Sequence, residues 1–180
     1  HAGQVVDIQV SNDQQWFTVV VRAPQTDGKQ HVQMYSVARG VSSVQEASAA
    51  AVYDYTSKSC TVMALAAKGP NGYRLLVAEL ATTPGAPKFE RLALELPSDS
   101  SYSMPVCILQ QDPNILTVVT EQGNVHVADT EARAWIAHGK LPGDETIFTG
   151  ATSPGFKHLV VISTQGTVFA VTTRGGNIAQ

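Results

Sequence analysis

Charge is what this sequence has least of. Only 15% of its 180 residues are Asp, Glu, Lys or Arg, the formal net charge is −3 and the pI is near 5.9. A nucleic-acid partner requires clustered Lys and Arg, and no charge run here exceeds two residues, so no nucleic-acid partner is expected. No window approaches the ~18 consecutive apolar residues of a membrane span, so direct membrane insertion is not expected either. Cysteine is scarce. Cys60 and Cys107 each sit inside an apolar run ("SCTVMAL", "MPVCILQ") and read as buried free thiols in a reducing compartment rather than a disulfide. The opening "HAGQVVDIQV" has no initiator Met and no basic leader, as expected of a fragment or a processed chain.

Reactive motifs are missing too. There is no G-x-S-x-G, no P-loop and no paired CxxC. The five histidines, His1, His31, His126, His138 and His158, stand at no ligand spacing and read as surface or strand residues. "TRGGNI" follows the last apolar run with no helix after it, which argues against phosphate cradling. Asp54, Asp129 and Glu145 are scattered acidic residues that an enzyme or small-ligand site would have to bring together. The expectation is a protein with no catalytic residues, no metal and no cofactor.

What is there is repetition. Apolar, β-branched runs are followed by a turn containing glycine and then by an alternating run. The pattern recurs around Gly28, Gly72, Gly123 and Gly166, at spacings of 44, 51 and 43 residues. A period of ~40–50 residues without helical periodicity is that of β-propeller blades. "FTVVVRA" reads as a strand buried on both faces, and "HVQMYSVA" as a half-exposed one. "ILTVVT" and "NVHVAD" across "EQG", and "LVVIST" and "TVFAVT" across "QG", read as hairpins whose glycine supplies a positive φ. "ATTPGAPKF", "LPSDSSYSMP" and "ATSPGF" are connecting loops. "SSVQEASAAAVYDY" reads as a helix or, with the repeat considered, as a loop leading into the first strand of the second unit. The fold class is therefore all-β: a β-propeller arrangement of about four antiparallel blades, with units near 1–46, 47–96, 97–140 and 141–180. End blades of such a piece would leave an apolar face uncovered. Val19, Val21, Val161 and Phe169 are candidates for exposure there, and the fragment would self-associate.

The stretches "VQMYSVARGVS", "SMPVCILQQDPNILTVVTEQGNVHVADTEA", "LPGDETIFTGATSPG", "QGTVFAV" and "NI" resemble the N-terminal β-propeller of clathrin heavy chains, in its second half. The resemblance covers essentially the whole chain and implies a partial seven-bladed β-propeller, made of blades four to seven. It implies a non-enzymatic, cytoplasmic coat protein of coated pits and vesicles. The partners it implies are adaptor and accessory proteins bearing short linear motifs. Light chains and other heavy chains would engage parts of the full protein not in this chain. By that resemblance an arrestin-box-like groove is lined by Trp16, Met34, Arg39, Val41 and Ser42, and a partial W-box-like site by Gln4 and Val6. Met34 stands where the family has Leu, Ser43 where it has Gln and Gln45 where it has Ile, which thins the apolar wall of the groove. The clathrin-box groove is not in this chain. Trp16 reads equally as a strand-edge core residue, and Arg39 as a solvated turn arginine. Trp135 matches no groove position and reads as packing between blades. A WD-type scaffold of another family and a small-ligand-binding propeller are the alternatives.

Overall fold

The computed structural model of the chain describes the backbone of residues 4–10, 16–22, 30–36, 44–45, 52–56, 62–69, 71–79, 92–110, 114–152, 159–174 and 177–179, and side chains mainly within 71–77, 92–109, 114–151 and 159–172. Every regular element among them is a strand. The first sheet runs β1 (Gln4–Val10), β2 (Trp16–Arg22), β3 (Gln30–Ser36) and β4 (Val44–Gln45). The second has β5 (Val52–Thr56), β6 (Val62–Gly69), β7 (Gly72–Glu79) and β8 (Leu92–Glu95). The third has β9 (Pro105–Gln110), β10 (Ile115–Thr120), β11 (Asn124–Asp129) and β12 (Ala134–Lys140). The fourth has β13 (Ile147–Thr152), β14 (Leu159–Ser163), β15 (Val168–Arg174) and β16 (Asn177–Ala179). Each sheet is an antiparallel meander in sequence order, and β5, β9 and β13 lie side by side. This all-β architecture is compatible with a partial propeller. In "SSVQEASAAAVYDY" the last residues form strand β5, while residues 46–51 lie outside the described residues.

The apolar runs have a packing reason. In the third sheet Ile108, Leu116, Val118 and Ala128 face Leu75, Val77, Leu92 and Leu96 of the second sheet's side. The alternate residues Cys107, Leu109, Val119 and Val125 face Ile147, Leu159, Val161 and Val171 of the fourth. A sheet covered on both faces has no solvent side to write as polar, so "VCIL" and "LTVV" read as continuous rather than alternating. Each such Leu or Val contributes roughly 1.5–3 kcal/mol relative to exposure. Cys107 is buried and forms no disulfide among the described residues, and Cys60 lies outside them.

The glycine register follows from the stitching between sheets. Gly72 has φ 122° at the β6–β7 turn, and a Cβ there would sit 2.2 Å from the Ser101 carbonyl oxygen. The connector leaving the second sheet runs across this turn: Leu96 N–H donates to Tyr73 O, and Tyr73 N–H to Ser101 O. Glycine is required twice over, by backbone angle and by space. The β10–β11 turn repeats the device around Gly123, with Leu141 N–H donating to Gly123 O and Ile147 N–H to Glu121 O. The hairpin glycines 123 and 166 also have positive φ, as the hairpin reading required. Gly28 lies outside the described residues.

A second repeat was not legible in the sequence. The first strand of each sheet carries one residue skipped by the pairing register: Val6, Tyr53, Val106 and Phe148. Such a bulge bends the strand and adds twist at the same place in every sheet.

The exposed face of the fourth sheet corrects one expectation. Val161 is fully buried and Phe169 packs against the core between the third and fourth sheets. The opposite parity faces out: Ile162 is 36% exposed, its cross-strand partner Val168 61%, and Phe148 69%. The side chains of Val19 and Val21 are outside the described residues; Ile8, paired with Val19 in the backbone ladder, is exposed.

Candidate functional site

The residues proposed for peptide grooves fall on the first sheet. Gln4 opens β1 and pairs with Arg22 at the end of β2, and Val6 is the bulged residue of β1. Trp16 opens β2 opposite Ser36, and Met34 pairs with Thr18, which makes Trp16 and Met34 diagonal positions of one ladder. Gln4 and Trp16 thus mark opposite ends of the sheet, six strand residues or about 20 Å apart. Arg39, Val41 and Ser42 lie outside the described residues, as does Ser43.

Sequence reading missed a cleft at the junction of the third and fourth sheets. It encloses about 410 Å³ and is lined by Glu121, Gln122, Lys140, Asp144, Glu145 and Thr146. The β10–β11 turn and the 141–146 connector build it, held by the two backbone bonds around Gly123 and by Glu121 N–H donating to Met104 O. Lys140 Nζ lies 3.2 Å from Asp144 Oδ1, an exposed pair with little energetic weight. Glu145 is fixed more firmly. It accepts from Ser163 Oγ at 2.5 Å and from Thr167 Oγ1 at 3.0 Å. Those bonds, Ser163 first, hold its carboxyl below the ordinary value of 4.5. Ser163 Oγ in turn accepts the backbone N–H groups of Gln165 and Thr167, so this hydroxyl is saturated as a turn anchor.

Of the acidic residues considered for an enzyme or small-ligand site, Asp129 and Glu145 serve separate turns. Asp129 Oδ1 accepts the N–H groups of Glu131 and Ala132 and caps the β11–β12 turn. Glu145 serves the β14–β15 turn, and the side chain of Asp54 is outside the described residues. Among the described residues no group of three or more His, Cys, Asp or Glu is placed to hold a metal ion.

Trp135 packs between sheets, as expected. It lies against the core between the second and third sheets, and its indole N–H donates to Glu95 O at 2.8 Å. Beside it sits His126, only 1% exposed, with ring centroids 5.7 Å apart in an edge-to-face arrangement. His126 Nδ1 is 3.0 Å from His138 Nδ1, and His126 Nε2 has no hydrogen-bond partner among the described residues. Burial, then the neighbouring His138, lowers the His126 pKa from 6.5 to about 4, against an opposing pull from Asp99.

These features define an all-β protein of four-stranded antiparallel sheets, with a cleft where the third meets the fourth. No protein-family model matches the chain. Two curated proteins do. The probable clathrin heavy chain of Schizosaccharomyces pombe is 28% identical over 176 residues, spanning 93% of this chain and 10% of its own length. The probable clathrin heavy chain 1 of Caenorhabditis elegans is 24% identical over 184 residues, spanning 97% of this chain and 11% of its own. The chain is similar over nearly its whole length to a segment of clathrin heavy chains, and spans about a tenth of those relatives.

Proposed function

We propose that the chain is a β-propeller segment of a clathrin-type vesicle-coat protein. It works without catalysis, on the cytoplasmic face of coated pits and vesicles, by taking short extended peptides of adaptor and accessory proteins into grooves between sheets. The observation that carries this reading is similarity to two clathrin heavy chains across 93–97% of the chain. The sheets read as successive blades, and Trp16, Met34, Arg39, Val41 and Ser42 as the arrestin-box-like groove, with Gln4 and Val6 as part of a central W-box-like site. Chemically, an indole and apolar aliphatic groups suit leucine-type side chains, and a guanidinium suits an acidic flank. A single short peptide buries little area and must be ordered on binding, so each groove is weak and function rests on many grooves in one coat.

The test is a fluorescence titration of the chain with a leucine-rich acidic peptide of the arrestin-box kind and with a clathrin-box peptide. Saturable binding of the first, weakened by about 1–3 kcal/mol in Trp16→Ala, is expected. The clathrin-box peptide should bind poorly. Equal binding of both peptides, unaffected by the Trp16 change, overturns the groove assignment.

A further inference from the structure

The face by which the third sheet packs on the fourth has a counterpart that the fourth sheet leaves open. Aligned on their skipped residues, Val106 and Phe148, the two sheets match position for position. Thr149, Ile162, Val168 and Ala170 of the fourth then stand where Cys107, Val119, Val125 and Val127 stand in the third. All four residues of the third sheet are buried, and Cys107, Val119 and Val125 belong to the cluster shared with the fourth. Their four matches in the fourth sheet are exposed. We propose that this open face docks the first sheet of a second copy of the chain, so that two chains close head to tail into a ring of eight sheets.

The first argument is the character of the face. The four exposed positions carry no charge, and Phe148, next to Thr149, adds an exposed ring where Val106 of the third sheet packs against the shared cluster. A solvated sheet face ordinarily reads as polar, so one written like its buried counterpart is written for contact. The second argument is that the chain carries the other half of that contact. The opposite parity meets the preceding sheet: Ile108 of the third sheet packs with the second, and Gly150, at the same register position in the fourth, lies against Cys107 of the third. In the first sheet this position is Ile8, two residues after the skipped Val6, and Ile8 is exposed. In the same ladder Phe17 and Val19 hold the register positions of Leu159 and Val161, the residues with which the fourth sheet covers the third. The third argument is closure. Ile8 and the fourth sheet's face are exposed in the same chain, so one chain does not cover either with the other. Head-to-tail contact between two copies covers both and leaves no free end, whereas two fourth sheets set face to face leave Ile8 open.

Light scattering of the chain at rising concentration tests the ring, and the expected mass is twice the 19.1 kDa of one chain. Ile8→Lys and Ile162→Lys should each weaken the pair at least about tenfold. Both positions are exposed, so each variant keeps its fold, which far-UV circular dichroism checks. Mixing the two variants in equal amounts should restore association, because one of the two contacts in the mixed pair is then free of both substitutions. A second measurement needs no substitution: amide exchange of the unaltered chain should slow in β1 and β14 together as concentration rises. A monomer at about 100 µM, association that Ile8→Lys leaves unchanged, or no recovery on mixing overturns the proposal.

Discussion

Buried in the face of the third sheet, His126 makes the protein sensitive to acid. Its folded pKa of about 4 lies below the ordinary 6.5, so the unfolded chain takes up a proton that the folded chain refuses. Its contribution is complete above pH 6.5 and is lost as pH falls towards 4, amounting to roughly 2–3 kcal/mol across that window. Urea unfolding at pH 7 and pH 5 checks this: the drop in stability should be roughly 2 kcal/mol smaller in His126→Leu than in the unaltered chain. An equal drop in both would mean that other groups carry the acid sensitivity. Gly150 is a residue of a different kind. A Cβ there would lie 2.9 Å from Cys107 Sγ and 3.1 Å from Val160 O. Gly150→Ala should therefore destabilise by about 1–3 kcal/mol through overpacking between β9, β13 and β14, read as a lower denaturation midpoint with an unchanged slope.

At the scale of elements, the Trp135 indole donating to Glu95 O is a directional bond across the interface between the second and third sheets. Trp135→Phe keeps the ring in the apolar cluster and removes the donor. It should cost about 1 kcal/mol, and amide exchange should rise in β8 and β12 before β14. Uniform loss of protection would argue that the bond does not hold this interface in particular. Hairpins were legible here because their glycines obey a local rule. Gly123 and Gly166 adopt the positive φ that a short turn demands, and the runs on either side became β10, β11, β14 and β15 within a residue or two. The bulges at Val6, Tyr53, Val106 and Phe148 were not legible, because a skipped residue is a property of two strands' register and leaves no required residue type behind.

On the scale of the whole molecule, the fourth sheet presents Phe148, Ile162 and Val168 to solvent while its other face is packed. Residues of this chemistry on neighbouring strands form an apolar surface of the kind that takes up another surface. Sedimentation velocity at micromolar concentration should show the chain associating, most simply as a two-fold pair. Ile162→Lys with Val168→Lys should return it to a monomer without loss of folding, since both positions are exposed. A monomer before the substitutions would show that this face needs no cover.

The sequence by itself determined the all-β class, the hairpin positions and the likeness to clathrin heavy chains. Each rests on short-range information: β-branched runs, turn glycines, and contiguous stretches such as "GNVHV" and "ETIF". Only the tertiary structure decided which side of the last sheet is covered, because a one-residue change of parity exchanges Val161 for Ile162 and composition alone does not fix it. It also decided that His126 and His138 meet. Their spacing in the chain fits no ligand motif, and the pairing of β11 with β12 closes that gap to 3.0 Å, because a skipped residue, Ile136, sets His126, three residues before the Asp129–Ala134 pair, opposite His138, four residues after it.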